Sequence, residues 1–283
     1  MNMVLPERGR LVLNQNVASG RSFEGFLELA TKVGVGKIEL RNDLPGAGPG
    51  GPDAASARAL LDRSSLRVVA IDVLLRFNVL GRWDELMGEL ARLLKAAATY
   101  RAPAILLCPN CERGDSRSQQ EAFADTVKAL RQLSPLLEEK GLLGYVEPLG
   151  FPESSLRSLY SAQRAVRESG ASCFRVVYDT FHHFLGPDRE SDLEANCDVD
   201  LIGLVHVSGL RSQMPADRYR DEHRDLPDEH DLMNSREQVS RLLKLGYKGD
   251  VSFEPFVPRL RDLSIPDLTE TLRAAVRYFS VPG

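Results

Sequence analysis

The stretch FRVVYDTFHHFLG, residues 174–186, starts as a β-branched apolar run and ends on a carboxylate and two imidazoles. Carboxylates and imidazoles are costly to bury unless they are paired or bound to a metal. A buried strand that ends on Asp179 and His182 therefore indicates a polar site at the end of a sheet. If the strand continues to His183, that side chain points the opposite way, toward surrounding helices, and we assign it no role.

Seven further short apolar runs accompany this one along the chain. They are RLVLNQN (10–16), GKIELRN (36–42), LRVVAIDVL (66–74), APAILLCPN (102–110), LLGYVEPLG (142–150), LIGLVHVSG (201–209) and GDVSFEPF (249–256). Their hydrophobicity is nearly continuous rather than alternating, which is typical of strands covered on both faces in a parallel sheet.

Amphipathic stretches with helical periodicity separate these runs. Six of them lie near 22–34, 53–63, 82–100, 120–141, 155–169 and 235–246. A seventh, the last in the chain, begins at Pro266. Eight strands alternating with helices over about 250 residues predict a single-domain (β/α)8 TIM barrel, an α/β fold, spanning residues 1–283. The alternative is an open doubly wound sheet, which is disfavoured because no G-x-G-x-x-G motif follows the first strand. LPGAGPGGP (44–52) is interpreted as a loop after the second strand, because it is too short to be a linker between two domains.

The composition predicts a cytoplasmic globular protein. Hydrophobic residues make up 43% and charged residues 27% of the chain, and the 36 basic and 40 acidic residues leave a net charge of −4. The absence of a basic stripe argues against a nucleic-acid partner. No apolar run is long enough for a membrane helix, and no signal peptide is apparent at the start. Oligomeric state is left open, a homo-oligomer included.

The four cysteines do not resemble a disulfide framework in a chain of this length. Cys108 and Cys111 form a lone C-x-x-C pair within CPNC, which is weak evidence for a metal or redox site. We interpret both thiols as structural.

Polar residues end four consecutive strands of the predicted barrel, where the active sites of such barrels lie. Glu147 ends the fifth strand, Asp179 the sixth, His206 the seventh and Glu254 the eighth. One such carboxylate is more often a helix cap or an ion-pair partner, but three together would repel one another without a cation. These oxygen and nitrogen ligands suit one divalent ion; Mn²⁺ or Mg²⁺ is favoured, with Co²⁺ and Zn²⁺ as alternatives.

YVEPLG, YDTFHH, VHVSG and SFEPF together resemble the xylose isomerase-like TIM-barrel family of sugar isomerases and epimerases. YDTFHHF and RYRDEHRDLP make the chain most similar to inosose (keto-inositol) isomerases within it. The resemblance implies that the four strand-end residues bind the metal and that Glu147 and Glu254 also transfer protons. It further implies substrate contacts by Glu153 and His182, and by Arg211, which stands one residue early for the family's arginine.

In this chemistry the cation binds the ketone oxygen and a neighbouring hydroxyl of the substrate and stabilises an enediolate intermediate. A base removes the proton from the carbon between them, and an acid returns it. The expected substrate is a sugar or cyclitol ketone, and no clustered basic pair at the mouth calls for a phosphate. Other strand ends offer hydroxyl contacts that are equally well structural hydrogen-bonding residues: Asn16, Glu39, Asp72 and Asn110.

The charged segment RYRDEHRDLPDEHDL, residues 218–232, follows the seventh strand and is called the lid segment below. A solvated surface is the default interpretation of such a run. Because it would overhang the site and matches the inosose isomerase resemblance, we favour a lid that brings Arg220, His223 or Arg224 onto the substrate.

Two other functions remain open at this stage. Endonuclease IV shares this barrel and uses three zinc ions to hydrolyse phosphodiesters, and Asp221 and His223 mimic its D-x-H pair. The acidic net charge argues against a DNA substrate. A barrel that binds a sugar without catalysis is the third interpretation, and the intact ligand set places it last.

Overall fold

A computed structural model describes residues 3–44, 53–189, 191 and 193–280. Eight parallel strands form a closed barrel in sequence order, with the first strand paired to the eighth. The strands are β1 Leu11–Asn14, β2 Lys37–Arg41, β3 Arg67–Leu75, β4 Ala104–Cys108, β5 Leu143–Val146, β6 Phe174–Asp179, β7 Ile202–Val207 and β8 Asp250–Phe253. The predicted TIM barrel is confirmed, and the open doubly wound sheet is wrong. The predicted loop at 44–52 lies, from residue 45 on, outside the described residues.

Helices alternate with the strands and cover the barrel. They are α1 Phe23–Val33, α2 Ala54–Ser64, α3 Trp83–Tyr100, α4 Gln119–Glu139, α5 Leu159–Ser169, α6 Thr180–Leu185, α7 Leu193–Asn196, α8 Ser235–Lys244, α9 Arg259–Asp262 and α10 Ile265–Phe279. Side chains cap several of them: Ser22 accepts a hydrogen bond from the backbone of Gly25, and Ser118 and Glu121 form a capping box. No helix among the described residues has the length and apolar character needed to cross a bilayer.

The core of the barrel itself has two parts, and a third apolar cluster lies in α6 and the loops that follow β5 and β7: Phe151, Phe181, Leu185, Leu210, Tyr219 and Met233. The larger part packs the outward faces of the strands against the helices. The smaller part consists of strand side chains alone, with Ala70, Ala104, Leu106, Val177 and Leu204 among them, and fills the barrel interior. Buried polar residues are concentrated at the strand ends above this apolar layer.

The sixth strand ends earlier than the sequence suggested. β6 stops at Asp179, and α6 begins at once, because Asp179 Oδ1 accepts hydrogen bonds from the backbone N–H groups of Phe181 at 2.7 Å and His182 at 3.2 Å. An extended continuation to His183 is therefore wrong. The His183 ring instead lies 4.8 Å from that of Tyr178.

Candidate metal centre

Glu147, Asp179, His206 and Glu254 converge at the carboxyl rim of the barrel. All four are buried, and one ligand atom from each lies within 4.8 Å of the others. His206 Nδ1 is 3.1 Å from Glu147 Oε1, 3.1 Å from Glu254 Oε2 and 3.9 Å from Asp179 Oδ2. Within the described residues, this is the one group of three or more His, Cys, Asp and Glu side chains that could share a cation.

The parallel register of the barrel explains this convergence. Asp179 is paired directly with His206 in β6 and β7, whereas Glu147 and Glu254 follow the last residues of β5 and β8 by one position. The sequence separates these residues widely, but the barrel brings adjacent strand ends to one rim. Three carboxylates and an imidazole nitrogen form a ligand set that fits a divalent cation.

The orientation of His206 is set by a carboxylate on its far side. His206 Nε2 lies 3.1 Å from Glu39 Oε1, and Glu39 Oε2 accepts a 2.7 Å hydrogen bond from Ser252 Oγ. An Nε2–H that donates to Glu39 leaves the Nδ1 lone pair facing the three carboxylates, an arrangement common behind metal-bound histidines. Without a cation, burial would lower the pKa of His206, but the carboxylates of Glu254, Glu39 and Glu147 outweigh it and raise that pKa well above its usual value.

Two buried arginines compensate part of the negative charge. Arg224 Nη2 donates to Asp179 Oδ2 at 2.6 Å and to Glu254 Oε2 at 2.8 Å. Arg41 Nη1 donates to Glu254 Oε1 at 2.8 Å and also to Asp72. Burial alone would raise the pKa of Glu254, but His206 and the two arginines lower it well below its usual value. Glu254 is thus held as a carboxylate.

Arg41 is a site residue that the sequence analysis missed. It ends β2 two residues after Glu39, so the strand-end pattern used for the four candidate ligands could have found it. Its guanidinium lies 5.2 Å from the centre of the Phe256 ring, and that of Arg224 lies 4.7 Å from the same centre. Both guanidinium groups therefore contact the Phe256 ring while both reach Glu254.

Arg224 is the residue of the lid segment that reaches the cluster. Its side chain is almost fully buried, and its backbone carbonyl accepts hydrogen bonds from Phe256 and Val257, each at 2.8 Å. Its neighbour Asp225 forms an antiparallel bridge with Gly209 and pairs with Arg259. This part of the lid segment therefore lies across the ends of β7 and β8.

The other predicted contacts of the lid region stay outside the cluster. Arg211 pairs with Asp225 at 3.0 Å and Asp228 at 2.6 Å. Arg220 donates to the backbone carbonyls of Asp217 and Tyr219, and its own N–H donates to His223 Nδ1 at 2.9 Å. Substrate binding by Arg211, Arg220 and His223 remains a prediction.

His182 and Glu153 lie near the mouth on the β5–β6 side. His182 is 4% exposed, and its ring packs edge-on 5.1 Å from that of Phe151. The buried Nδ1 of His182 has no hydrogen-bond partner among the described residues. Glu153 is half-buried, with Arg113 3.9 Å away. Their roles as substrate contacts also remain predictions.

The remaining strand-end candidates have partners within the protein. Glu39 contacts His206, Asp72 pairs with Arg41, Asn16 donates to the carbonyl of Pro255 at 2.6 Å and Asn110 donates to Asp115 at 2.8 Å. These contacts match the structural alternative.

Cys108 lies against one of the candidate ligands. Its sulfur is 3.4 Å from Glu147 Oε2, and burial followed by the charge of Glu147 raises the pKa of the thiol well above its usual value. The group is therefore a protonated donor. All four cysteines are free thiols.

Comparison with known proteins places the chain in a family. The family described as xylose isomerase-like TIM barrel matches residues 27–279, and the chain belongs to it. The chain is 25% identical over 210 residues to an inosose isomerase of Halalkalibacterium halodurans, covering 74% of this chain and 73% of that protein.

Two solved structures illustrate the similarity of fold. A xylose isomerase domain-containing protein from Salmonella typhimurium LT2 is 35% identical, with a TM-score of 0.88 and 98% of both chains covered. A protein called IOLI, which was solved with a bound zinc atom, is 20% identical, with a TM-score of 0.86 and coverage of 96% of this chain and 100% of that one. At that identity the second comparison supports the fold alone.

Proposed function

We propose that this protein is a divalent-metal-dependent sugar isomerase or epimerase that transfers a proton next to a ketone. The proposed substrate is a keto-inositol or a small ketose. The observation that carries the proposal is the buried group of Glu147, Asp179, His206 and Glu254, whose ligand atoms lie within 4.8 Å of one another. The inosose isomerase relative supports the choice of substrate class.

The ligand set favours manganese as the cation, because three of the four donors are carboxylates. Zinc is the main alternative, and the zinc atom of IOLI keeps it open. A divalent cation held by these residues would polarise the ketone and a neighbouring hydroxyl and so acidify the C–H bond between them.

The chain itself supplies the groups that move the proton. Glu147 and Glu254 come from β5 and β8 and each place one oxygen 3.1 Å from His206 Nδ1. In the proposed reaction one of them removes the proton beside the ketone, and the other, or the same one, returns it at the adjacent carbon or the opposite face. We assign His182, whose buried Nδ1 has no hydrogen-bond partner among the described residues, to a substrate hydroxyl.

The arginines favour an uncharged substrate. Arg224 uses its three guanidinium nitrogens on Ser208, Asp221, Asp179 and Glu254, and Arg41 pairs with Asp43, Asp72 and Glu254. These bonds engage four of the five N–H groups of each guanidinium, so neither arginine can offer two N–H groups to a phosphate or carboxylate. A neutral polyhydroxy ketone matches this arrangement.

The nuclease alternative receives less support. Asp221 accepts a hydrogen bond from Arg224 at 3.2 Å, and His223 accepts one from the Arg220 backbone, so both members of the D-x-H pair are engaged in the lid segment. A three-metal nuclease would need further ligand groups, and the described residues contain one candidate group. Elemental analysis separates the two functions: we expect one ion per chain, whereas three would favour the nuclease.

The decisive experiment is hydrogen exchange. Purified protein incubated with Mn²⁺ and scyllo-inosose in D₂O should introduce deuterium beside the carbonyl, which NMR detects directly. A panel of common ketoses tested in parallel identifies a sugar substrate if the inosose is inert. Absence of exchange with every inosose and ketose in protein that has bound manganese would contradict the proposal.

A further inference from the structure

The two oxygens of Glu147 face different partners. Oε1 is 3.1 Å from His206 Nδ1, on the side where the ligand atoms of the cluster meet. Oε2 accepts from the thiol of Cys108, which ends β4, at 3.4 Å from the sulfur. One oxygen therefore belongs to the metal-competent face, and the other is held by a thiol.

This partner distinguishes Glu147 from the other carboxylates of the cluster. Glu254 is bonded by arginine on both oxygens, and Asp179 is bonded by Arg224 on one oxygen and by two backbone N–H groups on the other. Among the described residues, the side chain of Glu147 contacts His206 and the thiol. A thiol is a weak, neutral donor, whereas arginine bonds are charge-assisted and about twice as strong.

Resting on the function proposed above, we propose that Cys108 is a positioning residue that holds Oε2 of Glu147 outside the metal-facing side, as the oxygen that accepts the substrate proton. A carboxylate oxygen has two lone pairs, so one can take the S–H bond while the other takes the proton. In that step the C–H bond breaks, an O–H bond forms on Glu147, and the electron pair moves to the former ketone. The thiol is unchanged, and the proton returns to the product.

Substitutions can separate a role of Cys108 as a hydrogen-bond donor from a role in packing. Cys108 is 6% exposed and touches the apolar cluster inside the barrel, so any smaller residue leaves a void there. Serine keeps a donor at the position, alanine removes it, and valine removes it while filling the space. A packing role predicts that valine is the best replacement, and a donor role predicts that serine is.

The kinetic test compares these three variants in the manganese-bound protein. We expect Cys108→Ala and Cys108→Val to lower kcat for deuterium exchange about tenfold, with KM and manganese affinity by calorimetry unchanged, and Cys108→Ser to restore most of the rate. Cys173→Ser, a buried thiol away from the cluster, serves as the matched control and should match the unsubstituted protein. A full rate in Cys108→Ala, or a serine variant no faster than alanine, would overturn the assignment.

A second readout does not need turnover. The S–H stretching band of Cys108, identified in the infrared spectrum by its loss in Cys108→Ser, should shift when Glu147→Gln removes the charged acceptor. The band of Cys173 should stay in place. A Cys108 band that does not move would refute the hydrogen bond whether or not the substrate has been identified. Absence of exchange in the unsubstituted protein, with a band that shifts, would instead refute the proposed function alone.

Discussion

Glu254 at the end of β8 and Glu147 at the end of β5 each lie 3.1 Å from His206 Nδ1, but their other contacts differ. Glu254 is held by Arg41 on one oxygen and Arg224 on the other. The second partner of Glu147 is the neutral thiol of Cys108. Glutamate thus serves at the same site on one side with two arginine partners and on another side without them.

Two glutamates of one candidate metal site can therefore depend on different partners for their stability, although both are the same residue type. The Glu254 side depends on arginine for its stability, because a buried carboxylate between two guanidinium groups is favourable only while all three remain. The Glu147 side has no arginine partner among the described residues, so a bound cation contributes more to it. The first three predictions below test this asymmetry.

The largest effect is expected from replacing each glutamate by glutamine. Both Glu147→Gln and Glu254→Gln should lower the exchange rate by about 1000-fold, because each removes a proton-transfer group. Their stabilities should differ: Glu254→Gln should lower the free energy of unfolding of the metal-free protein by about 3 kcal/mol, since it leaves two buried arginines without this partner. Urea unfolding measures the difference.

Glu147→Gln is the matched control for that loss of stability. It removes one like charge from a crowded cluster and leaves both arginines paired, so we expect a change within about 1 kcal/mol. Equal destabilisation by the two variants would show that the two sides are not held differently. Full activity in Glu254→Gln would remove that residue from the mechanism.

The sequence predicted the four candidate ligands but not their partners, and the reason is geometric. Parallel strands that alternate with helices bring their carboxyl ends to one rim, so a polar residue after an apolar run can be placed from sequence alone. Arg41 was missed because the search was for residues that bind a cation or a hydroxyl, and a guanidinium is not a metal ligand. Cys108 was interpreted as structural because a lone C-x-x-C pair is weak evidence for a functional site.

The contacts of Arg224 and the start of α6 could not be predicted from the local sequence either. The lid segment could be placed over the site by its position after β7, but only the folded chain shows that Arg224 turns inward to Asp179 and Glu254. α6 replaces the expected end of a strand because Asp179 caps its first turn while also joining the cluster. Both outcomes depend on tertiary contacts between distant segments.

The arginines themselves provide the next test. Arg224→Met and Arg41→Met should each lower the free energy of unfolding of the metal-free protein by about 3 kcal/mol, because each leaves buried carboxylates uncompensated. Arg113→Met is the control, since Arg113 is 81% exposed and its contact to Glu153 is long, at 3.9 Å. It should change stability by less than about 0.5 kcal/mol. Little effect of the buried substitutions would contradict the stabilising role of arginine on the Glu254 side.

Metal removal should lower the free energy of unfolding mainly through the Glu147 side of the site. At a free Mn²⁺ concentration about 100 times its Kd, the unsubstituted protein should gain about 2.7 kcal/mol of unfolding free energy over protein in EDTA. Glu147→Gln should lose most of this gain at the same metal concentration, because it removes a ligand that has no arginine partner among the described residues. Unfolding curves with and without manganese give both values, and an undiminished gain in the variant would exclude Glu147 as a ligand.

The smallest effect concerns His183, which lies outside the acidic cluster and contrasts with His206 inside it. Burial lowers the pKa of His183, with partial compensation by Asp188, and neither ring nitrogen has a hydrogen-bond partner among the described residues. Because the unfolded chain then takes up the proton first, His183 should reduce stability as pH falls below about 6.5, by about 1 kcal/mol or less. His183→Phe keeps a ring beside Tyr178 and removes this dependence, so the stability difference between pH 7.5 and pH 5.5 should be smaller in the variant. An unchanged difference would assign the whole pH dependence in this range to other groups, the acidic cluster among them.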